Sequence, residues 1–241
     1  ALRMLRAVRF SCQLGFEIEP RTFEALGECS SLIAKLSRER VRDEIRLILL
    51  SRQPGRGIRL LAETSLLRFI FPDVDRMRGV PQPERFHPEG DVFEHTVKCL
   101  EYGSELCVDM EDEDRWILMM AVLLHDVGKP VTMTVSDRIR FNRHEKVGAD
   151  IAESICRGLK MSRREIQRVR YLVSRHMIFK DVRRMRWSKL KRLVAEPDFH
   201  LLEVIHRVDR LASDGDLEDV EFIEEVKKKI REEGTKQKRL V

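Results

Sequence analysis

His125 and Asp126 stand side by side in the run LLHDVGKP, where an apolar segment ends in an imidazole and a carboxylate. Adjacent nitrogen and oxygen donors at one helix end can hold a divalent cation against a phosphate ester. Unpaired buried charge is costly, so Asp126 needs a partner, and a cation is one of few partners that also recruits histidine. For the doublet alone, a structural His–Asp hydrogen bond is the alternative. His95 and Asp209, on elements either side, complete a four-residue set sufficient for one ion. His144 and His176 would admit a second, making the cluster a clamp for a water and an ester oxygen. Lys129, directly after Gly128, is a candidate phosphate contact or simply a C-terminal helix charge. The candidate catalytic residues are therefore His125, Asp126 and Lys129, and the candidate metal ligands are His95, His125, Asp126, His144, His176 and Asp209. His87, His200 and His206 carry no comparable argument and stay outside the set.

These side chains need helices to position them. Leu2, Leu5 and Val8 pattern a first helix that Gly15 stops, and Pro20 opens a second. Ser37 caps a third helix, SRERVRDEIRLILL, and a fourth runs through Arg59–Phe69. Between Phe71 and Asp91 the prolines and glycines cannot all fit one regular element. Residues 1–70 thus read as a helical neck and body, 71–90 as a linker, and 91–241 as a helical metal-binding domain. Asp91 with Glu94, and Ser162 with Glu165, are capping-box pairs; they open the helices carrying His95 and ending at His176. The helix from Asp112 delivers the doublet. VTMTVSDRIRF reads as a lid-like loop or short hairpin near 131–141, with Asp137 at its turn. Arg183 to Ala195 reads as a basic helix, and Pro197 separates it from the helix carrying Asp209. EFIEEVKKKIREE is the last helix, with a frayed tail at 234–241. The fold class is all-α.

Lys and Arg number 46 against 41 Asp and Glu, a net charge of +5 that suits a polyanionic partner without demanding one. Five scattered cysteines without a CxxC pair read as core residues in a reducing compartment. No apolar run nears the roughly 20 residues of a membrane span, so the expected setting is the cytoplasm. Arg3, Arg6 and Arg9 recur every three residues; Arg3 and Arg6 have few local acidic partners, which leaves them freer for a ligand or another domain. Arg38, Arg40 and Arg42 are interleaved with Glu39, Asp43 and Glu44 and fit a solvated face at least as well as an RNA contact. In KDVRRMRWSKLKR, Trp187 among cations is an RNA-binding pattern or a helix anchor.

LRMLRAVRFSCQLGFEIEP resembles the neck of the bacterial tRNA nucleotidyltransferase and poly(A) polymerase superfamily, which includes CCA-adding enzymes. The likeness continues through SRERVRDEIRLILL, HPEGDVFEHTVKCL, LLHDVGKP and RFNRHEKVGADIAE and covers nearly all the chain. The second half resembles the phosphohydrolase domain named for its His–Asp doublet. The resemblance implies that Ala1–Leu2–Arg3 ends a Glu-Asp-x-x-Arg motif, with Arg3 reading a nucleotide base. It places a catalytic head with paired carboxylates, absent from this chain, before residue 1. The uncapped start likewise suggests a chain cut from something longer. The parent transferase would use ATP or CTP, and this chain alone would transfer no nucleotide. In this family the ion is held by residues matching His95, His125, Asp126 and Asp209, and two-metal members add those matching His144 and His176. The metal (Mg, Mn, Ni, Fe or Zn) stays open, as does the substrate: a terminal or cyclic phosphate on RNA, or a free nucleotide. The implied partners are a tRNA or other RNA 3′ end, a nucleotide and the head, with Arg3, Arg6, Arg9, Arg40 and Trp187 as candidate contacts. The competing reading is an RNA-binding module with a vestigial or structural cluster. A signalling phosphohydrolase unrelated to tRNA has no need of the neck-like segment.

Overall fold

A computed structural model describes residues 1–83 and 90–238, the last five by backbone alone. The chain is an all-α bundle with one short hairpin. Helix α1 (Leu2–Leu14) buries Leu5, Val8 and Cys12 along one stripe and ends at Gly15, whose φ of 73° is the left-handed conformation that glycine adopts without strain. Then come α2 (Pro20–Glu28), with proline in its first turn, a 3-10 turn at Ser30–Lys35, α3 (Arg38–Leu49) and α4 (Pro54–Glu63). Ser37 precedes α3 in extended geometry, but its side chain makes no capping bond.

The helix expected at Arg59–Phe69 instead begins at Pro54 and stops at Glu63. Ser65, at φ 58°, turns the chain out of the helix, and two short helices follow, α5 (Leu67–Ile70) and α6 (Pro72–Asp75). His87, in the Pro-rich segment, lies outside the described residues.

Helix α7 (Val92–Leu106) starts where Asp91 accepts a bond from the Glu94 N–H at 2.8 Å. The Glu94 carboxylate does not close the box; it pairs with Arg59 at 2.5 Å, tying α7 to α4. Helix α8 (Asp112–Leu124) is buried at every position from Trp116 to Leu124. A helix apolar on all sides belongs in a core, and α8 packs among α7, α11 and α13. Short α9 (Lys129–Thr132) leads to strands β1 (Met133–Val135) and β2 (Ile139–Phe141), antiparallel with Thr134 opposite Arg140.

Helices α10 (His144–Gly158) and α11 (Arg163–Arg175) form the most extensive helix pair, and α11 opens on the complete Ser162–Glu165 capping box. The continuous basic helix expected at Arg183–Ala195 is broken. A 3-10 stretch, His176–Arg184, buries Phe179 and Val182 at three-residue spacing, Met185 is extended, and α12 (Trp187–Val194) begins afresh. Helix α13 (Phe199–Ala212) carries Asp209, and α14 (Glu218–Lys238) is longer than expected at both ends. The tail expected to fray at 234–241 therefore continues α14 to Lys238; residues 239–241 lie outside the described residues.

One continuous apolar core runs from α1 to α14. The helices before and after the 71–90 segment touch closely: a Cβ on Gly55 would come within 2.7 Å of the Val97 carbonyl oxygen, so α4 reaches α7 only because residue 55 is glycine. No described helix is long and apolar enough to cross a membrane.

Candidate metal centre

The six candidate ligands come from five places in the chain. His95 lies on α7, the doublet after α8, His144 at the start of α10, His176 where α11 becomes 3-10, and Asp209 on α13. Close packing brings them together. A Cβ at Gly128 would stand 2.3 Å from the His144 carbonyl oxygen and 2.7 Å from the Gly148 nitrogen, so glycine is what lets α10 approach the doublet. Arg143, just before His144, takes φ 63°, a strained backbone for a residue with a side chain.

Three imidazoles share one orientation device. His125 Nδ1 donates to the Val122 carbonyl at 2.8 Å, His144 Nδ1 to Phe141 at 2.9 Å, and His176 Nδ1 to Val173 at 2.8 Å. A carbonyl only accepts, so the proton sits on Nδ1 and Nε2 of the neutral ring keeps its lone pair toward the centre. There the Asp126 oxygens face different groups. Oδ2 lies 3.2 Å from His125 Nε2 and 3.9 Å from His95 Nε2; Oδ1 lies 3.4 Å from His144 Nε2 and 3.8 Å from His176 Nε2. His95 Nε2 is also 3.0 Å from Asp209 Oδ1.

Two clusters of donor atoms result, each with its atoms within 4.8 Å of one another: His95, Cys99, His125 and Asp209, and Asp126, His144 and His176. The residues fit a cation. His144 and His176 place two Nε2 atoms 3.2 Å apart, an arrangement that needs a proton or a metal ion between the lone pairs. His125 Nε2 is buried without a hydrogen bond among the described residues.

Burial opposes charge on Asp126, but the adjoining His125 imidazole and the Lys129 ammonium outweigh it and hold the carboxyl well below the usual range. Burial likewise opposes charge on Asp209, and His95 reverses it. His176 is pushed down to about 3, chiefly by burial and then by the neighbouring His125 imidazole, which keeps it a neutral donor. His144 goes up, because Asp126 overcomes the effect of its burial.

Lys129 is buried. Its Nζ stands 2.6 Å from Asp126 Oδ2, outside hydrogen-bond alignment with it, and donates to Gln82 Oε1 at 2.6 Å. Its ammonium thus sits on the inner carboxylate. A cavity of about 860 Å³ opens over Asp126, His144, His176 and Asp209, and Arg138 and Arg140 of the hairpin, Lys180 and Arg210 line it with positive charge. Arg140 is held by Asp137 and Arg210 by Asp214.

The other candidates lie elsewhere. Arg6 and Arg9 face buried Glu44 on α3 at 3.2 and 3.4 Å, joining α1 to α3. Arg3 and Arg40 are exposed. Trp187 is half-buried against α14 and donates to Glu233 at 3.1 Å, in a groove with Leu190, Phe222 and Val226. Outside the candidate set, Arg175 pairs with Glu196 at 2.8 Å, and His200 meets Asp114 at 3.0 Å.

Sequence reasoning left three site residues outside its set. Cys99 follows His95 by one helical turn, a spacing that could have revealed it. His206, one turn before Asp209, is buried with its ring 4.7 Å from Phe179, and it lines the same cavity. Gln82 sits among linker prolines, where nothing local marks it.

Residues 15–78 match the family described as "Probable RNA and SrmB- binding site of polymerase A", and residues 92–214 match the HD domain. The chain is 34% identical over 224 residues to the CC-adding tRNA nucleotidyltransferase of Thermus thermophilus, covering 89% of this chain and 50% of that protein. It is 36% identical over 190 residues to the multifunctional CCA protein of Alkalilimnicola ehrlichii, covering 74% and 44%. Against the A-adding tRNA nucleotidyltransferase of Deinococcus radiodurans the identity is 36% over 186 residues, covering 73% and 41%. The chain spans half or less of the length of these relatives.

Proposed function

Because the chain belongs to the HD domain family and is homologous to CCA-adding tRNA nucleotidyltransferases and poly(A) polymerases, we propose that it is the RNA-positioning and phosphohydrolase part of such an enzyme. Residues 1–70 would serve as neck and body, with Arg3 and Arg40 free to meet RNA or nucleotide, 71–90 as linker, and 91–241 as the hydrolytic domain. The substrate class is a terminal or cyclic phosphate at an RNA 3′ end. The observation that carries this reading is the division of Asp126: each oxygen faces its own pair of imidazole nitrogens, as a carboxylate shared by two ions requires.

His95, His125, Asp126 and Asp209 would hold one divalent ion, and Asp126, His144 and His176 the other. When bound, such a pair neutralises phosphoryl charge and acidifies a water. The chain's own residues do the rest. The backbone carbonyls fix the ring tautomers. Arg138, Arg140 and Lys180 draw a polyanion to the cavity mouth. Lys129 stands beside Asp126, where it can offset charge developing on the phosphoryl group.

The test is metal-dependent phosphate release from an RNA ending in a 2′,3′-cyclic phosphate, with bound metal measured in parallel. Asp126→Ala should retain the helical fold, lose bound metal, and lose turnover by more than about a hundredfold, beyond what supporting groups around metal ligands usually cost. Undiminished hydrolysis by that variant would reject the site. Metal binding without turnover on any phosphate ester would leave the vestigial-cluster reading.

A further inference from the structure

The two halves of the centre differ in donor chemistry. The half around Asp126, His144 and His176 offers only nitrogen and oxygen, whereas the half around His95, His125 and Asp209 also contains a sulfur, that of Cys99. We propose that Cys99 is a ligand of the ion held by His95, His125 and Asp209, which makes that position selective for a borderline divalent ion such as zinc, cobalt, nickel or ferrous iron over magnesium. The inference rests on the metal-centre reading above and sharpens it by naming the class of metal.

The placement follows from the helix. His95 and Cys99 are four residues apart on α7, so both project from one face toward α13 and the end of α8. Cys99 is fully buried, and its Sγ lies 3.4 Å from His95 Nε2 and 3.8 Å from the Val208 carbonyl oxygen. Asp209 Oδ1 approaches the same His95 nitrogen at 3.0 Å. Sulfur, carboxylate oxygen and imidazole nitrogen therefore converge on one point.

His125 supplies the independent sign of a ligand there: its Nε2 is buried with no hydrogen bond among the described residues, and its tautomer is already fixed by Val122. Donors around a tetrahedral zinc at bond lengths of about 2.0–2.3 Å stand roughly 3.3–3.8 Å apart. The present spread of up to 4.8 Å closes to that with shifts under about an ångström per atom.

Thiolate donors favour softer ions, and magnesium prefers an octahedron of oxygens. On binding, the sulfur–hydrogen bond is replaced by a sulfur–metal bond, and the proton leaves to solvent with no change in oxidation state. Two negative donors, Cys99 and Asp209, then match one divalent charge, so Asp126 Oδ2, which faces the same position, is a further shared donor rather than its main counter-charge, while Oδ1 serves the second ion.

Cobalt(II) titration of the full chain tests the assignment by absorption spectroscopy. The native protein should develop a sulfur-to-cobalt charge-transfer band in the near ultraviolet along with the visible d–d bands. Cys29→Ser, at an exposed cysteine, should keep that band. Cys99→Ser should lose it, bind zinc at least tenfold more weakly, and leave magnesium binding unchanged. X-ray absorption at the zinc edge of the unmutated protein should show one sulfur neighbour, which covers the case in which the variant does not fold. Cobalt bound with d–d bands but no sulfur band, or a band that survives Cys99→Ser, overturns the role of Cys99 and leaves the metal centre standing. A native protein that takes up no cobalt at all would sink the centre itself, and the ligand assignment with it.

Discussion

Charge is buried in opposite ways at the two ends of this molecule. Among the N-terminal helices, Glu44 is met by the guanidinium groups of Arg6 and Arg9, and opposite charges cancel across the α1–α3 contact. Around the His–Asp doublet, lone pairs of like polarity face one another, with the His144 and His176 nitrogens 3.2 Å apart and His125 Nε2 unbonded. The first arrangement is balanced in charge as it stands, although Arg9 Nε and Glu44 Oε2 are buried at 3.4 Å from each other without a hydrogen bond. The second is completed by a cation. Burial of polar groups therefore does not by itself mark a site; buried acceptors converging on one point do.

The sharpest way to break this contrast is Gly128→Ala. The added methyl would drive α10 off the doublet, so metal binding should disappear, with a stability loss of about 1–3 kcal/mol from overpacking. Calorimetry for metal and a denaturant midpoint for stability would measure both, and intact metal affinity would show that the close approach is not what assembles the centre.

Acid should separate the two ends next. His176 titrates near 6.5 when unfolded but only at about 3 in the folded metal-free chain, because burial and the neighbouring His125 imidazole disfavour its cation. Between those values the unfolded state holds more protons, so stability falls as pH drops from about 6.5 toward 3, on the order of 1 kcal/mol per pH unit. Denaturation of the metal-free protein across that window checks the sign, and a flat profile would mean that the rings are not held neutral.

Glu44→Gln should cost about 2 kcal/mol, less than the loss of a wholly buried partner because Arg6 remains half exposed. It should leave hydrolysis and metal content unchanged; a fall in either would link the neck pair to the centre. The smallest effect is expected at Trp187→Phe. It removes the bond to Glu233 and should cost about 1 kcal/mol or less. Because an aromatic ring remains, RNA affinity by filter binding should hold, and a tenfold loss would mark Trp187 as an RNA contact made through its indole N–H.

The legible parts of the sequence were those in which local pattern and tertiary need agree. The unbroken apolar run before His125 announced a central helix, the Ser162–Glu165 pair marked a helix start that formed as read, and the six ligand candidates do converge. Where a residue's partner is distant in sequence, local pattern was silent. Arg6 looked unpartnered because Glu44 stands 38 positions away, and Glu233 is 46 residues beyond Trp187. The break at Met185 was hidden because the cations Arg183, Arg184 and Arg186 around it fit a helix face as well as a loop. Gln82 could not be found, since its meaning depends on a lysine 47 residues later.

The peptide carbonyls of Val122, Phe141 and Val173 have one more consequence. In many metalloproteins the groups that aim the ligands are themselves side chains, and a single substitution can disarm them. Here the aiming belongs to the main chain, which every amino acid supplies. Drift around these three rings can thus proceed widely without spoiling their direction, and damage to this centre should be found in the ligands or in glycines such as Gly128, seldom in the shell behind them.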